Sequence, residues 1–159
     1  MIKNLLLTIL SSQAPLSTYK AGLLQAKAYR ILKHRTNELL RPYDLSSLDW
    51  AVLGLLFDHE KGFKLSELAK LLGIEAPFAS IMIDVLEKKK LVKRIVHPDD
   101  RRAKIIILTS QGKKIVPIIE KDLREHTKDL IHGASLSSLQ GYLKVLNTII
   151  RNAEEAGGE

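Results

Sequence analysis

The chain has 159 residues, 45% of them hydrophobic and 27% charged, which is enough for one folded domain with a real apolar core. It contains no cysteine, so disulfides, thiolate metal sites and thiol-based redox sensing are excluded. The formal net charge of +7 favours a polyanionic partner, although ribosomal and membrane-surface proteins are equally basic.

The amino-terminal segment Ile2–Leu10 is apolar and carries one lysine, as in a signal peptide. Its apolar run is short, however, and no small-x-small cleavage site follows it cleanly. We therefore interpret Met1–Pro15 as a helical arm. No segment reaches the roughly 20 apolar residues of a membrane span, so we expect a cytoplasmic protein without membrane contact.

A long amphipathic helix is predicted over Ser17–Arg41, where apolar residues recur at steps of three and four. Pro42 ends it, because a proline disfavours helical geometry in the residue before it. A second helix, Leu48–Phe57, follows, with Ser46 or Ser47 as its N-terminal cap. The residues expected to face inward on this second helix are Trp50, Leu53, Leu56 and Phe57.

Two short helices come next, with a glycine in the turn between them. The third helix, Leu65–Leu72, ends at Gly73, which suits the left-handed backbone of a helix C-cap. The fourth helix begins near Ala76 and runs to about Lys89, with Pro77 acceptable in its first turn. This arrangement is typical of a helix-turn-helix.

The segment after the fourth helix is strongly basic. Two apolar strands, Leu91–Val96 and Lys104–Leu108, flank the charged turn His97–Arg102. From Lys88 to Lys104 there are eight basic residues and two acidic ones, a net charge of +6 in 17 residues. A hairpin with arginines at its tip, directly after a helix, predicts a winged helix-turn-helix. In such a unit the helix enters the major groove of DNA and the tip reaches the minor groove.

Two further helices, Ser110–Ile131 and Leu136–Glu155, complete the chain, with Thr109 and Ser135 as their caps. Gly133 separates them. The faces of these helices and of the first one are too apolar to remain exposed to solvent. We therefore expect the helices to pack together and against a second copy in a two-fold homodimer.

The predicted fold is mainly α-helical with a small antiparallel β-hairpin wing, that is, a winged helix-turn-helix joined to a helical dimerisation region. Residues 1–45 are assigned to the arm and dimerisation helix, and residues 46–109 to the DNA-binding part. Residues 110–159 supply the C-terminal dimerisation helices, and the three parts form one compact subunit.

Three motifs resemble those of the MarR family, the multiple-antibiotic-resistance-type transcriptional regulators. They are LSELAKLLG (65–73), IDVLEKKKLVKR (83–94) and HPDDRRAKIIILTSQGKK (97–114). The third is the most specific, because it combines Asp-x-Arg at Asp100–Arg102 with Leu-Thr-x-x-Gly at Leu108–Gly112. The resemblance implies a homodimeric DNA-binding regulator, more often a repressor than an activator. It also implies that Asp100 orients the wing and Arg102 enters the minor groove.

A narrow minor groove attracts arginine, which agrees with that role for Arg102, although the turn could also be merely solvated. The fourth helix departs from the family, since Ile81 and Val85 stand where members often place arginine. Its polar residues are few, and Asp84 would repel phosphate unless it faced the wing or paired with a basic residue. We therefore expect few direct contacts between arginine and bases in the major groove. Specificity is expected to depend on the wings and on DNA shape instead.

The candidate DNA contacts come from the fourth helix, its lysine-rich end and the hairpin. Not all of Lys88, Lys89 and Lys90 can face DNA, and a solvated helix end explains any that do not. The candidate DNA-binding residues are Pro77, Phe78, Ser80, Lys88, Lys89, Arg94, Asp100, Arg101, Arg102 and Lys104.

No catalytic constellation is recognisable, and the five histidines show no metal-binding spacing, so neither an enzyme nor a cofactor is expected. Residues distant in sequence could still assemble a metal site. The family resemblance implies a small phenolic or anionic effector, bound between the dimerisation helices and the DNA-binding part. Candidate effector residues are Tyr29, His34, Tyr43 and Trp50, each of which could equally be a core residue.

An alternative function of another class is a protein-interaction module. Winged helices also serve as assembly surfaces, and the apolar fourth helix could bind a protein instead of DNA. Its docking residues would be Phe78, Ile81 and Met82. The basic wing favours DNA, because an apolar docking surface gains little from arginines.

Overall fold

The computed structural model describes residues 18–96 and 103–157. The chain divides into two units, one up to Pro117 and one from Ile118 onward. The helices of the described chain are α1 (Thr18–Leu40), α2 (Ser47–Asp58), α3 (Leu65–Leu72), α4 (Ala76–Lys88), α5 (Ser110–Thr127) and α6 (Leu136–Ala156). The strands are β1 (Phe63–Lys64), β2 (Val92–Val96) and β3 (Lys104–Leu108). The predicted mainly α-helical fold with a small antiparallel sheet is confirmed.

The junction between α1 and α2 is a short 3₁₀ turn at Arg41–Tyr43, as expected from Pro42. Ser46 caps α2: its hydroxyl accepts a hydrogen bond from the Asp49 amide at 3.1 Å, and the Asp49 carboxylate accepts one from the Ser46 amide at 2.8 Å. The Asn37 side chain of α1 accepts a further bond from the Ser47 amide at 2.8 Å. These bonds fix the start of α2 against the end of α1.

The turn between α3 and α4 has the geometry that the glycine predicts. Gly73 adopts a left-handed φ of 64° and caps α3. The amide of Ile74 reaches back to the carbonyl of Ala69 at 3.0 Å, which satisfies a carbonyl at the helix end. Leu68 and Ala69 bury one side of α3. Backbone hydrogen bonds in the turn and the burial of Leu68 and Ala69 thus hold the helix-turn-helix together.

The sheet has the strand order β1-β3-β2, and both pairings are antiparallel. The hairpin matches the prediction, whereas β1 was missed because two residues carry no periodic signal. Phe63 pairs with Ile106. Gly62, just before it, has a φ of 77°, and an added Cβ would lie 2.2 Å from the Ile106 carbonyl oxygen. A glycine is therefore required at position 62, where the chain enters β1.

The core of the first unit is built from the end of α1, from α2, α3 and α4, and from the sheet. On α2, Val52, Leu53 and Leu56 are buried. The prediction that Phe57 faces inward was wrong, because its side chain is 40% exposed in the described chain. At 3.6 residues per turn, Phe57 lies about 90° round the helix from the middle of that buried group, and Trp50, also expected inside, is only half-buried. Other fully buried residues of this core are Leu40, Leu68, Ile83, Leu86, Val92 and Ile106.

The second unit contains the rest of α5, a 3₁₀ turn at Lys128–Ile131 and α6. Helix α5 therefore ends earlier than predicted, at Thr127. Ser135 caps α6 as expected, accepting a hydrogen bond from the Ser138 amide at 3.1 Å. No residue of α6 is buried within the described chain. None of the described helices has the length and apolar character needed to cross a membrane.

Candidate nucleic-acid interface

Helix α4 has one face in the core and one in solvent. Its buried face consists of Ala79, Met82, Ile83 and Leu86. Met82 is only 7% exposed, so the prediction that it belongs to a protein-docking surface is wrong. The exposed residues of α4 are Ala76, Pro77, Phe78, Ile81, Asp84, Val85 and Lys88, and those from Phe78 onward recur at helical spacing. Ser80 is half-buried beside them.

Arg94 of β2 holds the acidic residues of α4. Its guanidinium donates to the Asp84 carboxylate at 2.6 Å and to the Glu87 carboxylate at 2.5 Å, and its amide donates to Glu87 at 3.1 Å. Burial alone would lower the pKa of Arg94, but the hydrogen bonds to these two carboxylates raise it above its ordinary value. The expectation that Asp84 pairs with a basic residue is confirmed. The negative charge on the exposed face of α4 is therefore compensated within the subunit.

The three lysines at the end of α4 have different surroundings. Lys89 is only 25% exposed, lies 2.9 Å from the Asp44 carboxylate, and also donates to the Asp44 carbonyl. Lys88 continues the exposed face of α4, while Lys90 leaves the helix with a φ of 60°. Lys88 is thus the lysine best placed to act together with that face.

The Leu-Thr-x-x-Gly motif joins the end of α4 to the start of α5. The Thr109 hydroxyl donates to the Lys90 carbonyl at 2.6 Å and accepts from the Gly112 amide at 3.0 Å. A Cβ on Gly112 would lie 2.2 Å from the Leu91 carbonyl oxygen. Packing therefore requires the glycine of this motif, because only a residue without a side chain lets α5 start this close to the Leu91 carbonyl. Lys104, at the beginning of β3, is exposed opposite Val96.

The wing tip His97–Arg102 lies outside the described residues. The roles assigned to Asp100, Arg101 and Arg102 therefore stay predictions. The contacts assigned to Pro77, Phe78, Ser80, Lys88, Lys89, Arg94 and Lys104 also stay predictions. Lys89 and Arg94 already bind carboxylates of their own subunit, and the two other cations of this set, Lys88 and Lys104, are exposed.

An open cavity of about 480 Å³ lies between the C-terminal half of α1, the start of α2 and the end of α4. Of the four candidate effector residues only His34 lines it, where its imidazole is 3.6 Å from Glu38. Tyr29 is 60% exposed, and Tyr43 and Trp50 are half-buried elsewhere. The lining residues are His34, Asn37, Glu38, Arg41, Asp44, Leu45, Ser46, Asp49 and Lys89. Basic and acidic groups are mixed there, so the cavity is polar.

Some of these relationships could not be found from the sequence. Arg94 pairs with residues seven and ten positions earlier, and Lys89 with one 45 positions earlier. The weak signal available was that Asp84 needed a basic partner. Within residues 18–96 and 103–157, no group of three histidines or carboxylates is arranged to hold a metal ion.

Comparison with known proteins agrees with this geometry. The model of the MarR family matches residues 43–103. The structure of transcriptional regulator PA3341 is 31% identical to the chain, covers 84% of it and 98% of its own length, and superimposes with a TM-score of 0.74. The chain belongs to the MarR family. The resemblance carried by the three motifs is thereby confirmed. The prediction of a winged-helix transcriptional regulator is confirmed with it.

Two further solved structures resemble this MarR-family protein, one a complex with DNA and one a complex with a small ligand. A complex of MepR from S. aureus with DNA is 25% identical, covers 82% of the chain and 96% of its own length, and has a TM-score of 0.70. CouR from Rhodococcus jostii RHA1, bound to p-coumaroyl-CoA, is 23% identical, covers 87% and 95%, and has a TM-score of 0.77. The likeness to CouR is one of fold.

Proposed function

We propose that the protein is a homodimeric, sequence-specific repressor of transcription, released from double-stranded DNA by a small phenolic or anionic effector. It would act in the cytoplasm, without enzymatic activity. The proposal of DNA binding rests on one observation, the exposed face of α4. The only carboxylate on that face is paired with Arg94, and its last residue is Lys88. The basic segment 88–104 follows it directly.

The proposed DNA contacts divide into three kinds. Pro77, Phe78 and Ser80 of α4 would meet the major groove. Lys88, Arg101 and Lys104 would meet phosphates, and Arg102, oriented by Asp100, would enter the minor groove. Lys89 and Arg94 would reach phosphates only while shared with their carboxylate partners, so we assign them mainly to holding α4 and the hairpin in place.

The proposed homodimer is supported by the apolar surface of α6. A 21-residue helix with no buried residue and many exposed apolar ones needs a partner surface. A two-fold dimer supplies one with the same chemistry. The exposed large apolar residues of α6 are Leu136, Tyr142, Leu143, Val145, Ile149 and Ile150. In this proposal residues 46–109 bind DNA, and residues 1–45 and 110–159 form the dimer.

The proposed effector is supported by the cavity beside α1 and by the acyl-CoA ligand of CouR. His34, Arg41 and Lys89 are the basic residues of that cavity. An effector that prefers a dimer with misaligned α4 helices would weaken DNA binding by that preference, typically about 1–3 kcal/mol. Tyr29, Tyr43 and Trp50 do not line this cavity, so the effector site proposed there is formed by the residues that do.

A second candidate function is favoured by one observation, the exposed Phe78 and Ile81 on α4. A surface of this kind could bind a protein instead of DNA. The two functions differ in salt dependence, because phosphate contacts release counterions and apolar contacts do not.

Selection of duplexes from a random library by the full-length protein tests the proposal. Enrichment of an inverted repeat, with half-sites about one helical turn apart, is the expected result. Sedimentation of the complex should then give two chains per duplex. If no duplex is enriched over the starting library, sequence-specific DNA binding is excluded.

A further inference from the structure

The exposed face of α4 has an unusual chemistry for a helix that reads DNA. Phe78, Ile81 and Val85 are 53%, 62% and 39% exposed, and none of them carries a hydrogen-bonding group. We propose that these three side chains read the C5-methyl groups of thymines in the major groove. The inference rests on the proposed DNA binding and adds what is recognised, namely A·T pairs at defined positions through apolar contact.

The spacing of the three residues suits this task. They lie at i, i+3 and i+7, so they form one stripe along α4. At 1.5 Å per residue the stripe is about 10 Å long, which corresponds to about three base-pair steps of roughly 3.4 Å. Each side chain can therefore face a different base pair.

The chemistry of the groove supplies the specificity. The thymine methyl is the only apolar group that a base pair presents there, and the other groups are hydrogen-bond donors and acceptors. An apolar side chain against guanine or cytosine would remove water from polar groups without replacing its hydrogen bonds, which is unfavourable. The stripe formed by Phe78, Ile81 and Val85 therefore selects thymine in two ways, by contact with its methyl and by exclusion of G·C pairs.

The charges around the stripe identify DNA as its partner. Asp84, the one carboxylate on the exposed face, is bound by Arg94 at 2.6 Å and so does not repel phosphate. Lys88 stands at the end of the same face, and the following hairpin belongs to a segment with a net charge of +6. An apolar stripe bordered by positive charge complements a groove that has methyl groups on its floor and phosphates on its edges.

Replacing thymine by deoxyuridine tests the inference, because it removes the methyl and keeps the base pairing. The probe is the duplex enriched by the full-length protein, with one thymine replaced at a time. Burial of one methyl corresponds to about a four-fold change in Kd. We expect such a loss at one to three thymines in each half-site, and no change at thymines that flank the site.

A variant assigns the effect to the stripe. Ile81→Ala keeps an exposed helix position occupied by a good helix former, so the fold is expected to persist. It should bring the ratio of the Kd values for uracil and thymine close to one at a single position. Leu71→Ala is the matched control, since Leu71 is a 56% exposed apolar residue on α3 and is not among the proposed DNA contacts, and it should leave every ratio unchanged.

The outcomes separate this inference from the proposed function. Sequence-specific binding with no effect of uracil at any thymine overturns methyl reading and leaves the DNA-binding function standing. Uracil effects that persist unchanged in Ile81→Ala, Phe78→Ala and Val85→Ala also overturn it. Failure to enrich any duplex overturns both the function and the inference.

Discussion

Arg94 on β2 donates to the Asp84 carboxylate on α4 at 2.6 Å and thereby joins the hairpin to the helix that we propose faces DNA. The same guanidinium also binds Glu87. One arginine thus pairs with two carboxylates close to the surface proposed to approach phosphates, and it lowers their combined charge from −2 to −1. We therefore propose that Arg94 supports DNA binding through the residues that it holds.

Replacing Arg94 should expose that dependence. In Arg94→Ala, Asp84 and Glu87 lose their partner, so phosphates would face two uncompensated negative charges. DNA affinity should fall, while the free energy of unfolding should drop by only about 1 kcal/mol, because Asp84 is half-exposed and solvent screens the pair. Fluorescence anisotropy measures the affinity, and urea unfolding measures the stability.

The double variant Asp84→Asn, Arg94→Ala separates repulsion from the loss of a direct contact. Removing the Asp84 charge should restore part of the DNA affinity lost in Arg94→Ala. An equal affinity of the single and double variants would contradict the compensation by Arg94 and favour a direct contact between Arg94 and phosphate.

Arg102 is predicted to act in the minor groove. Arg102→Ala should weaken binding to every duplex and make the slope of log K against log salt shallower by about one. The slope is obtained from anisotropy titrations between 50 and 200 mM salt. Arg151→Ala, which removes an arginine of α6, should keep the wild-type slope. Wild-type behaviour of Arg102→Ala would show that the wing assignment is wrong.

Gly112 is predicted to be essential for stability. In Gly112→Ala the new methyl would overlap the Leu91 carbonyl, so the free energy of unfolding should fall by about 2 kcal/mol or more. Gly54→Ala is the control, because a Cβ at Gly54 meets nothing within 4 Å and alanine favours the α2 helix. Urea unfolding should show opposite shifts for the two variants. A Gly112→Ala protein as stable as wild type would contradict the close approach.

The apolar face of α6 is predicted to form the dimer. Leu143→Glu places a charge among the exposed apolar residues, so it should shift the protein toward monomers and reduce DNA affinity with it. Lys144→Glu introduces the same side chain about 100° further round the helix and should remain dimeric. Sedimentation equilibrium distinguishes the two, and a fully dimeric Leu143→Glu would exclude this face.

The sequence predicted most of the elements because their signals are local. Ser46 caps α2 and Gly73 ends α3, as side-chain and backbone chemistry at those positions require. Strand β1 was not predicted, because it is formed by Phe63 and Lys64 alone and depends on pairing with β3.

The site was predicted less completely, for a related reason. The motifs predict which segments contact DNA, but the partners of Lys89 and Arg94 depend on contacts between distant positions. The exposed position of Phe57 likewise depends on which side of α2 meets the core. Such choices follow from packing, and periodicity alone does not determine them.

Sequence-specific DNA binding is tested by fluorescence anisotropy of the purified protein on the DNA upstream of its own gene. A scrambled duplex of equal length is titrated beside it at 50 and 200 mM salt. We expect a preference of about 10³-fold for the native duplex, with affinity that falls as salt rises. Equal affinity for the two duplexes, or binding to neither, would contradict specific recognition of that DNA.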